Sequence, residues 1–392
     1  MTITARMAST PEMLACFDDA ALLDAALAFE RELAGALAEH AVISPAAAAA
    51  IAGACDVLPR DGLGEAAAHA GTLAIPLVAR LRAAVPAEHA AAVHRGATSQ
   101  DVVDTALVLQ IGQAMALLGP ELAAMADQLA VLARRHATLP ALGRTLLQPA
   151  ERVSLGMRIA NWLLAIDAAA VRLAREHRAA STLAFGGAVG TLSALGAAGP
   201  AVRAALARRL GLAEGPAWHS RRDAVAGLGS ALGIAIGATG KLARDVALLM
   251  QPELGELAEP AIAGRGGSSA MPHKRNATGC QIALSAAIRA PGLVATLLAA
   301  MPQELERGLG GWQAEAAVIG ELFGLAHGAV HAMRVVIDGL EVHAAAIAAH
   351  ADAVPGSVDP GEALAAAARF VDEALALHDA AVARRGATPP GA

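Results

Sequence analysis

The chain has 392 residues, of which 56% are hydrophobic, 17% charged and 2% aromatic, with no tyrosine. Its 30 basic and 36 acidic residues give a formal net charge of −6, which argues against a nucleic-acid partner bound by charge. Strands favour aromatic and β-branched residues, whereas the abundant alanine favours helix. We therefore predict an all-α protein and exclude a β-sandwich or β-barrel.

The apolar composition raises the question of a membrane partner. The longest uncharged stretch, residues 179–202, has the length of a bilayer span but contains several glycines, Pro200 and many alanines. Residues 1–19 lack the apolar core and cleavage site of a secretory signal. Three cysteines without metal-ligand spacing predict neither a disulfide framework nor a metal site. We expect a soluble, cytoplasmic protein that binds no membrane.

Hydrophobic periodicity and breaker residues predict the helices. Gly119–Pro120 is expected to separate two helices, and Pro291 to kink another. His327, His331 and His343 are expected on one long helix, without a metal-binding pattern. The predicted helices, in chain order, are residues 101–118, 121–136, 150–178, 224–250, 281–300, 312–345 and 361–384, before a disordered tail at 386–392.

The three longest helices would each measure roughly 40–50 Å at ~1.5 Å per residue, which indicates a helix bundle. We predict three domains: an N-terminal helical domain at residues 1–100, a central long-helix domain at 101–345, and a short C-terminal domain at 346–392.

Polar residues gather in three clusters. The densest, residues 264–276, contains glycines, two serines and three potentially cationic side chains just before a helix. A helix N-terminus beside lysine and arginine is a natural carboxylate site, although a solvated interhelical loop is an equal alternative from the pattern alone. The second, residues 94–101, leads into a helix that Thr98 or Ser99 could simply cap. The third, residues 143–149, is by itself more typical of a turn.

Residues 267–276, with the sequence GSSAMPHKRN, closely resemble the signature loop of the fumarase/aspartase lyase superfamily. Residues 96–107 resemble its first substrate loop, and Gly143-Arg144-Thr145 with Gln148 resembles the second. The resemblance covers nearly the whole chain. It implies the superfamily's three-domain fold, a homotetramer whose core is the central helix bundle, and active sites that each draw loops from three subunits.

Within the superfamily, residues 185–191, 218–223, 240–246 and 310–312 resemble the branch of cycloisomerases that form lactones from carboxylated muconates. This resemblance implies a cofactor-free reaction of a di- or tricarboxylate. It implies that Ser268 is the proton donor. It also implies that Lys274 and Asn276 bind the substrate carboxylate on which charge develops. The residues implied to bind the remaining carboxylates are Thr98, Ser99, Thr145 and Gln148, with contributions from His273 and Arg307.

Leu146 stands where fumarases and the amino-succinate lyases carry a histidine that helps a poor leaving group. In lactone chemistry the corresponding group is a carboxylate with a pKa of about 4, which needs little acid catalysis. Leu146 therefore favours a cycloisomerase over a fumarate-releasing C–N lyase such as adenylosuccinate lyase. A catalytically silent scaffold is a third hypothesis, but it predicts decay of the signature loop. Ala277 replaces the usual proline, and only the start of the next helix is expected to change.

Overall fold

The computed structural model describes residues 2–271 and 273–386, and confirms the prediction of an all-α protein. The α-helices of these residues are α1 (Ile3–Ala8), α2 (Pro11–Ala15), α3 (Asp19–Glu39), α4 (Pro45–Val57), α5 (Leu63–Ala70), α6 (Ala74–Ala84), α7 (Ser99–Arg135), α8 (Leu155–Ala180), α9 (Gly199–Leu210), α10 (Asp223–Leu249), α11 (Thr278–Ala300), α12 (Gly311–Asp338), α13 (Ala344–Asp352) and α14 (Pro360–Gly386). The antiparallel strand pairs are β1 (Pro140–Thr145) with β2 (Gln148–Ser154), and β3 (Leu257–Ala258) with β4 (Glu341–Val342).

The N-terminal helices α3 to α6 enclose a hydrophobic core together with α9. Phe29 and Phe185 meet edge to face in this core, with ring centroids 6.3 Å apart. Proline in the first turn and a serine cap start α4, where the Ser44 hydroxyl accepts a hydrogen bond from Ala47 N at 3.1 Å. This core therefore combines residues from the first hundred positions with a segment that follows α8.

A second and larger core lies between the long helices α7, α8, α10, α11 and α12. Glycines bring α10 and α11 close together, since a Cβ at Gly240 would lie 2.7 Å from Ala287 Cβ, and one at Gly229 would lie 2.1 Å from Leu297 Cδ1. As residue numbers fall along α10 they rise along α11, so the two helices are antiparallel. The long-helix bundle predicted from periodicity is present.

Four of these helices are long and apolar enough to cross a bilayer, judged by length and composition alone. Over its most apolar segment, α7 is 56% buried, α10 is 61% buried and α12 is 72% buried inside the fold. Packing in the bundle thus accounts for most of the apolar surface of these three. The corresponding segment of α11 is only 22% buried.

The predicted break at Gly119–Pro120 is wrong, because α7 runs without interruption through Pro120. Proline removes one helical hydrogen bond and favours a kink. Leu118, Leu122 and Met125 on either side are almost completely buried in the bundle core. Burial of such side chains is worth about 1.5–3 kcal/mol each, which outweighs the local preference.

Three further boundaries differ from the prediction. Residues 150–154 belong to β2, and α8 begins only after Ser154, whose hydroxyl accepts a hydrogen bond from Met157 N at 3.0 Å. Helix α12 ends at Asp338 before Gly339, so His343 lies at the start of α13 and not on one helix with His327 and His331. Gly386 ends α14 and does not begin a tail; positions 387–392, and Pro272 of the signature loop, lie outside the described residues.

Candidate active site

The segment that resembles the first substrate loop lies at the N-terminus of α7. Thr98 is the capping residue and Ser99 is the first residue of the helix, so the capping alternative is correct for Thr98. The Thr98 hydroxyl also accepts a hydrogen bond from Arg307 Nη1 at 2.8 Å. Arg307 Nη2 donates to the carbonyl oxygens of Gly187, at 3.3 Å, and Ala188, at 2.9 Å. The structure therefore brings together Thr98, Ser99 and Arg307 from distant parts of the sequence.

Asp101 is the buried centre of this group. Its carboxylate accepts hydrogen bonds from the backbone N–H groups of Thr98 (2.9 Å), Gly186 (2.9 Å) and Gly187 (3.0 Å). His219 Nε2 lies 2.7 Å from Asp101 Oδ1, and both side chains are buried. One carboxylate thus fixes the loop before α7, the loop after α8 and the turn before α10. Neither Asp101 nor His219 was predicted to form the site: Asp101 contacts it directly through Thr98, and His219 contacts it through Asp101.

A buried charge network lies next to this centre. Arg222 donates to Asp104 at 2.8 and 2.9 Å and to Glu315 at 2.9 and 3.0 Å, and its guanidinium carbon lies 4.6 Å from the Trp218 ring centroid. Burial raises the pKa of Glu315, although Arg222 opposes the shift. Burial also disfavours the charge of Arg222, but Asp104 and Glu315 more than compensate and raise its pKa. In the sequence, Asp104 and Glu315 stand out as charged residues within apolar helices, and Arg222 lies in the segment 218–223 that carries part of the resemblance.

The signature loop folds back on itself before α11. Asn276 N donates to Gly266 O at 2.8 Å, and its side-chain Nδ2 donates to Gly267 O at 3.1 Å. Lys274 and Asn276 line a cavity of about 320 Å³, together with Arg265 and the backbone of the loop. Two of the three predicted catalytic side chains therefore face one cavity.

Ser268, the third, lies in a turn of the same loop, and its hydroxyl oxygen accepts hydrogen bonds from the backbone N–H groups of Ala270, at 3.3 Å, and Met271, at 3.1 Å. His273 is exposed in the next turn. Neither Ser268 nor His273 is among the described residues that line the cavity. Of the three predicted catalytic residues, Ser268 therefore lies outside the lining of this cavity in the single chain.

The expectation that the N-terminus of α11 is open to a substrate carboxylate is wrong. The buried side chain of Glu259 already accepts hydrogen bonds from Gly279 N at 3.0 Å and Cys280 N at 2.8 Å. Arg275 donates to the Glu259 carbonyl oxygen at 2.6 Å and to Glu341 at 2.8 Å. An anion supplied by the protein therefore occupies the positive end of this helix, and Arg275 ties the signature loop to β4.

The segment that resembles the second substrate loop forms the turn of the β1–β2 hairpin. Thr145 and Gln148 pair across the turn, and Leu146 and Leu147 form its tip. Hydrophobic periodicity missed this hairpin, because strands of six or seven residues are too short to show a sustained periodic pattern of apolar residues.

The buried carboxylate of Glu256 anchors the hairpin next to its turn, through Arg144. Arg144 Nη2 lies 2.6 Å from Glu256 Oε1, His350 Nδ1 lies 2.9 Å from the same oxygen, and Arg158 Nη1 lies 3.5 Å from Oε2. Arg144 consequently points into the protein, away from Thr145 at the turn. This anchor places the hairpin beside β3, near the C-terminal end of α10.

The Thr98 group does not meet the other two loops within one chain. The Asp101–His219 centre lies at the start of α10, whereas Glu256, Glu259 and the signature loop follow its end. The 27 residues of α10 span about 40 Å at ~1.5 Å per residue. Among residues 2–271 and 273–386, no hydrogen bond or ion pair connects the Thr98 group, the hairpin turn and the signature loop with one another.

Residues 5–292 of the 392 match the lyase family. The chain belongs to this family. It is 49% identical over 339 residues to a 3-carboxy-cis,cis-muconate cycloisomerase of Pseudomonas aeruginosa, an alignment that covers 85% of this chain and 74% of that protein. A cycloisomerase of the same name from Pseudomonas putida is 43% identical, with 89% of this chain and 84% of that protein covered.

A solved structure of the 3-carboxy-cis,cis-muconate lactonizing enzyme of Pseudomonas putida superposes on this chain with a TM-score of 0.91 at 36% identity, covering 97% of this chain and 99% of that one. These similarities confirm the membership in the lyase superfamily that the signature loop indicated, together with its all-α fold. They favour the cycloisomerase branch of the lyase family over the fumarate-releasing C–N lyases.

Proposed function

We propose that the chain catalyses the lactonisation of 3-carboxy-cis,cis-muconate to 4-carboxymuconolactone without a cofactor. The observation that carries this proposal is the 49% identity, over 85% of the chain, to a 3-carboxy-cis,cis-muconate cycloisomerase. Leu146 supports the same reaction, because an attacking carboxylate does not need the proton transfer that a histidine at this position would provide.

In the proposed reaction, one carboxylate of the substrate adds to an internal double bond, and a proton is delivered to the carbon α to another carboxylate. The intermediate carries two negative charges on one carboxyl group. Lys274 and the amide of Asn276 are proposed to stabilise it, and one such preorganised donor is typically worth about 3–4 kcal/mol. The cavity that both side chains line supports this role.

Ser268 is proposed to donate the proton to carbon and to recover it in the reverse reaction. The two backbone N–H groups that donate to its hydroxyl oxygen support this role, because they stabilise the oxygen after it has given up its proton. The remaining substrate carboxylates would be bound by hydroxyl, amide and cationic groups of all three loops, namely Thr98, Ser99, Thr145, Gln148, His273 and Arg307.

We infer that these loops come together only in a homotetramer. The separation of about 40 Å along α10 supports this inference, because it keeps the Thr98 loop of one chain away from the hairpin and the signature loop of the same chain. The apolar face of α11 also supports it, since Ile288 is 75% exposed and Leu298 is 50% exposed. Long apolar faces that a single chain leaves exposed are typical of subunit interfaces.

We also propose that the chain acts in the cytoplasm and is divided into the three domains predicted above, at residues 1–100, 101–345 and 346–392, with α9 of the second domain packed into the core of the first. The three cysteines, Cys16, Cys55 and Cys280, are buried as free thiols, which supports a reducing compartment.

Ultraviolet monitoring of purified protein with 3-carboxy-cis,cis-muconate tests the proposed function. Lactonisation destroys the conjugated diene, so we expect the diene absorbance to fall at the rate of a working enzyme. A flat trace with folded protein would contradict the assignment. The parallel assay is fumarate release from adenylosuccinate and argininosuccinate, and turnover there would establish the C–N lyase alternative instead.

A further inference from the structure

The tip of the β1–β2 hairpin has an unusual combination of sequence and backbone conformation. Thr145 and Gln148 are paired, which leaves a two-residue loop of Leu146, with φ of 53°, and Leu147, with φ of 65°. A two-residue hairpin loop with both φ values positive is a type I′ turn, for which Asn–Gly is strongly preferred. Leucine in the left-handed region is disfavoured because its Cβ crowds the following carbonyl oxygen.

Both leucine side chains also lie in solvent in the single chain, since Leu146 is 96% exposed and Leu147 is 73% exposed. The hairpin below them is firmly held: Arg144, directly before the turn, pairs with Glu256, and Glu151 accepts a hydrogen bond from Ser357 N at 3.0 Å. The hairpin fold does not require leucine at the tip, because Asn–Gly would form the same turn with less strain. Two strained, exposed leucines between two polar substrate-loop residues therefore indicate a function outside the fold of this chain.

We propose that Leu146 and Leu147 form an apolar wall of the active site of a neighbouring copy of the chain, against the unsaturated carbon backbone of the substrate. This inference rests on the proposed function. Thr145 and Gln148 flank the tip and would bind carboxylates, so the side chains between them meet the part of the substrate that carries no charge. The wall excludes water from the carboxyl group on which charge develops, and a low local dielectric strengthens its attraction to Lys274.

The decisive variant is the double substitution Leu146→Asn/Leu147→Gly, which installs the residues that a type I′ turn prefers. We expect kcat to fall at least about tenfold, and to fall more than KM rises, because water exclusion acts on the developing charge. Without substrate, we expect the melting temperature to rise by about 2 °C, because backbone strain is relieved and the leucines face an open cleft. In Leu146→Met, which keeps an apolar side chain, the loss of kcat should stay below about threefold.

Ala41→Gly is the matched control. Ala41 is an exposed residue with φ of 57° at the end of α3, far from the substrate loops in the fold. Its replacement relieves the same kind of strain, so the melting temperature should rise while kcat and KM stay at their wild-type values.

A rise in stability combined with a loss of kcat in the double variant supports the apolar wall. Unchanged kcat in that variant, with an active wild type, overturns the inference and leaves the proposed function intact. A lower melting temperature with loss of the tetramer also overturns it, because the leucines would then be packing residues of a subunit interface. A wild-type protein that does not lactonise the substrate overturns the proposed function and this inference together.

Discussion

At the scale of single residues, Asp101 shows how one carboxylate can organise a substrate loop. It binds backbone N–H groups of two segments that lie about 85 positions apart in the sequence, and it contacts His219 as well. Each hydrogen bond to a charged group is worth about 1.5–3 kcal/mol. The bonds that the Asp101 carboxylate accepts therefore hold Thr98 in place more strongly than the Thr98 hydroxyl cap of α7 does.

Replacement of Asp101 by asparagine should therefore weaken substrate binding. The amide keeps the shape of the side chain but can no longer accept all of its backbone hydrogen bonds, so Thr98 and Arg307 lose their relative position. We expect KM to rise at least about tenfold while kcat changes less, measured by steady-state kinetics on protein with wild-type circular dichroism. Asp18→Asn changes another capping aspartate, one that accepts from Ala21 N at 2.9 Å on α3, and should leave KM unchanged. An unchanged KM in Asp101→Asn would remove Asp101 from this positioning role.

Ser268→Ala tests the proton donor directly. We expect at least about a hundredfold loss of kcat with an intact fold, because, among the described residues of the loop, Ser268 has the only hydroxyl that accepts from two backbone N–H groups. Ser269→Ala removes the neighbouring hydroxyl, to which no role is assigned, and should retain wild-type turnover. Near-normal turnover of Ser268→Ala would require a different proton donor.

The candidate site residues could be taken from the sequence only where a motif is contiguous. Ser268, Lys274 and Asn276 lie within one ten-residue segment, and its resemblance to the signature loop named them directly. Asp101 and His219 are 118 positions apart, and their contact arises only from the packing of α7 against the turn before α10. No spacing rule relates such positions, so the structure was needed to find them.

At the scale of elements, the long helices were predictable because each carries a sustained apolar stripe. The exceptions have physical causes. The helix-breaking tendency of Pro120 is outweighed by the burial of its neighbours in the bundle core. The β1–β2 hairpin is too short to show a periodic pattern of apolar residues. The capping of α11 by Glu259 could not be predicted either, because Glu259 lies 20 positions before Gly279, to which it binds, and reaches the helix only through the fold of the signature loop.

Glu259 should matter for the signature loop because it holds the first turn of α11. Glu259→Ala leaves two backbone N–H groups without their carboxylate, and we expect about 1–2 kcal/mol lower stability together with a fall in kcat as Asn276 moves. Glu259→Gln keeps one acceptor and should show a smaller loss of both.

The control for Glu259 is Asp359→Ala, which removes a comparable cap. The Asp359 carboxylate accepts from Gly361 N at 2.9 Å and Glu362 N at 3.1 Å at the start of α14, away from the signature loop. Thermal unfolding and steady-state kinetics should show a stability loss with unchanged kcat. If Glu259→Ala also leaves kcat unchanged, as Asp359→Ala should, the α11 cap acts on stability alone.

At the scale of the whole molecule, the arrangement of the loops follows from the length of the bundle. The same long helices that give the chain its core hold the Thr98 group and the signature loop about 40 Å apart. A second chain packed antiparallel against the exposed face of α11 would bring opposite ends of the two bundles side by side. Assembly therefore offers a way for loops at opposite ends of one chain to surround a single substrate.

Mixing two inactive variants tests this shared site. A chain with Ser268→Ala still has an intact hairpin, and a chain with Gln148→Ala still has an intact signature loop. If the two loops of a site come from different chains, random reassembly after dissociation should give about a quarter of the sites both intact loops. Recovered activity in the diene assay should approach that fraction, whereas each variant alone stays inactive.

The matched control mixes Ser268→Ala with Asn276→Ala, in which every signature loop carries one defect, so no site can recover. Should the first mixture stay inactive although native mass spectrometry shows exchange of chains, both loops of a site must come from one chain.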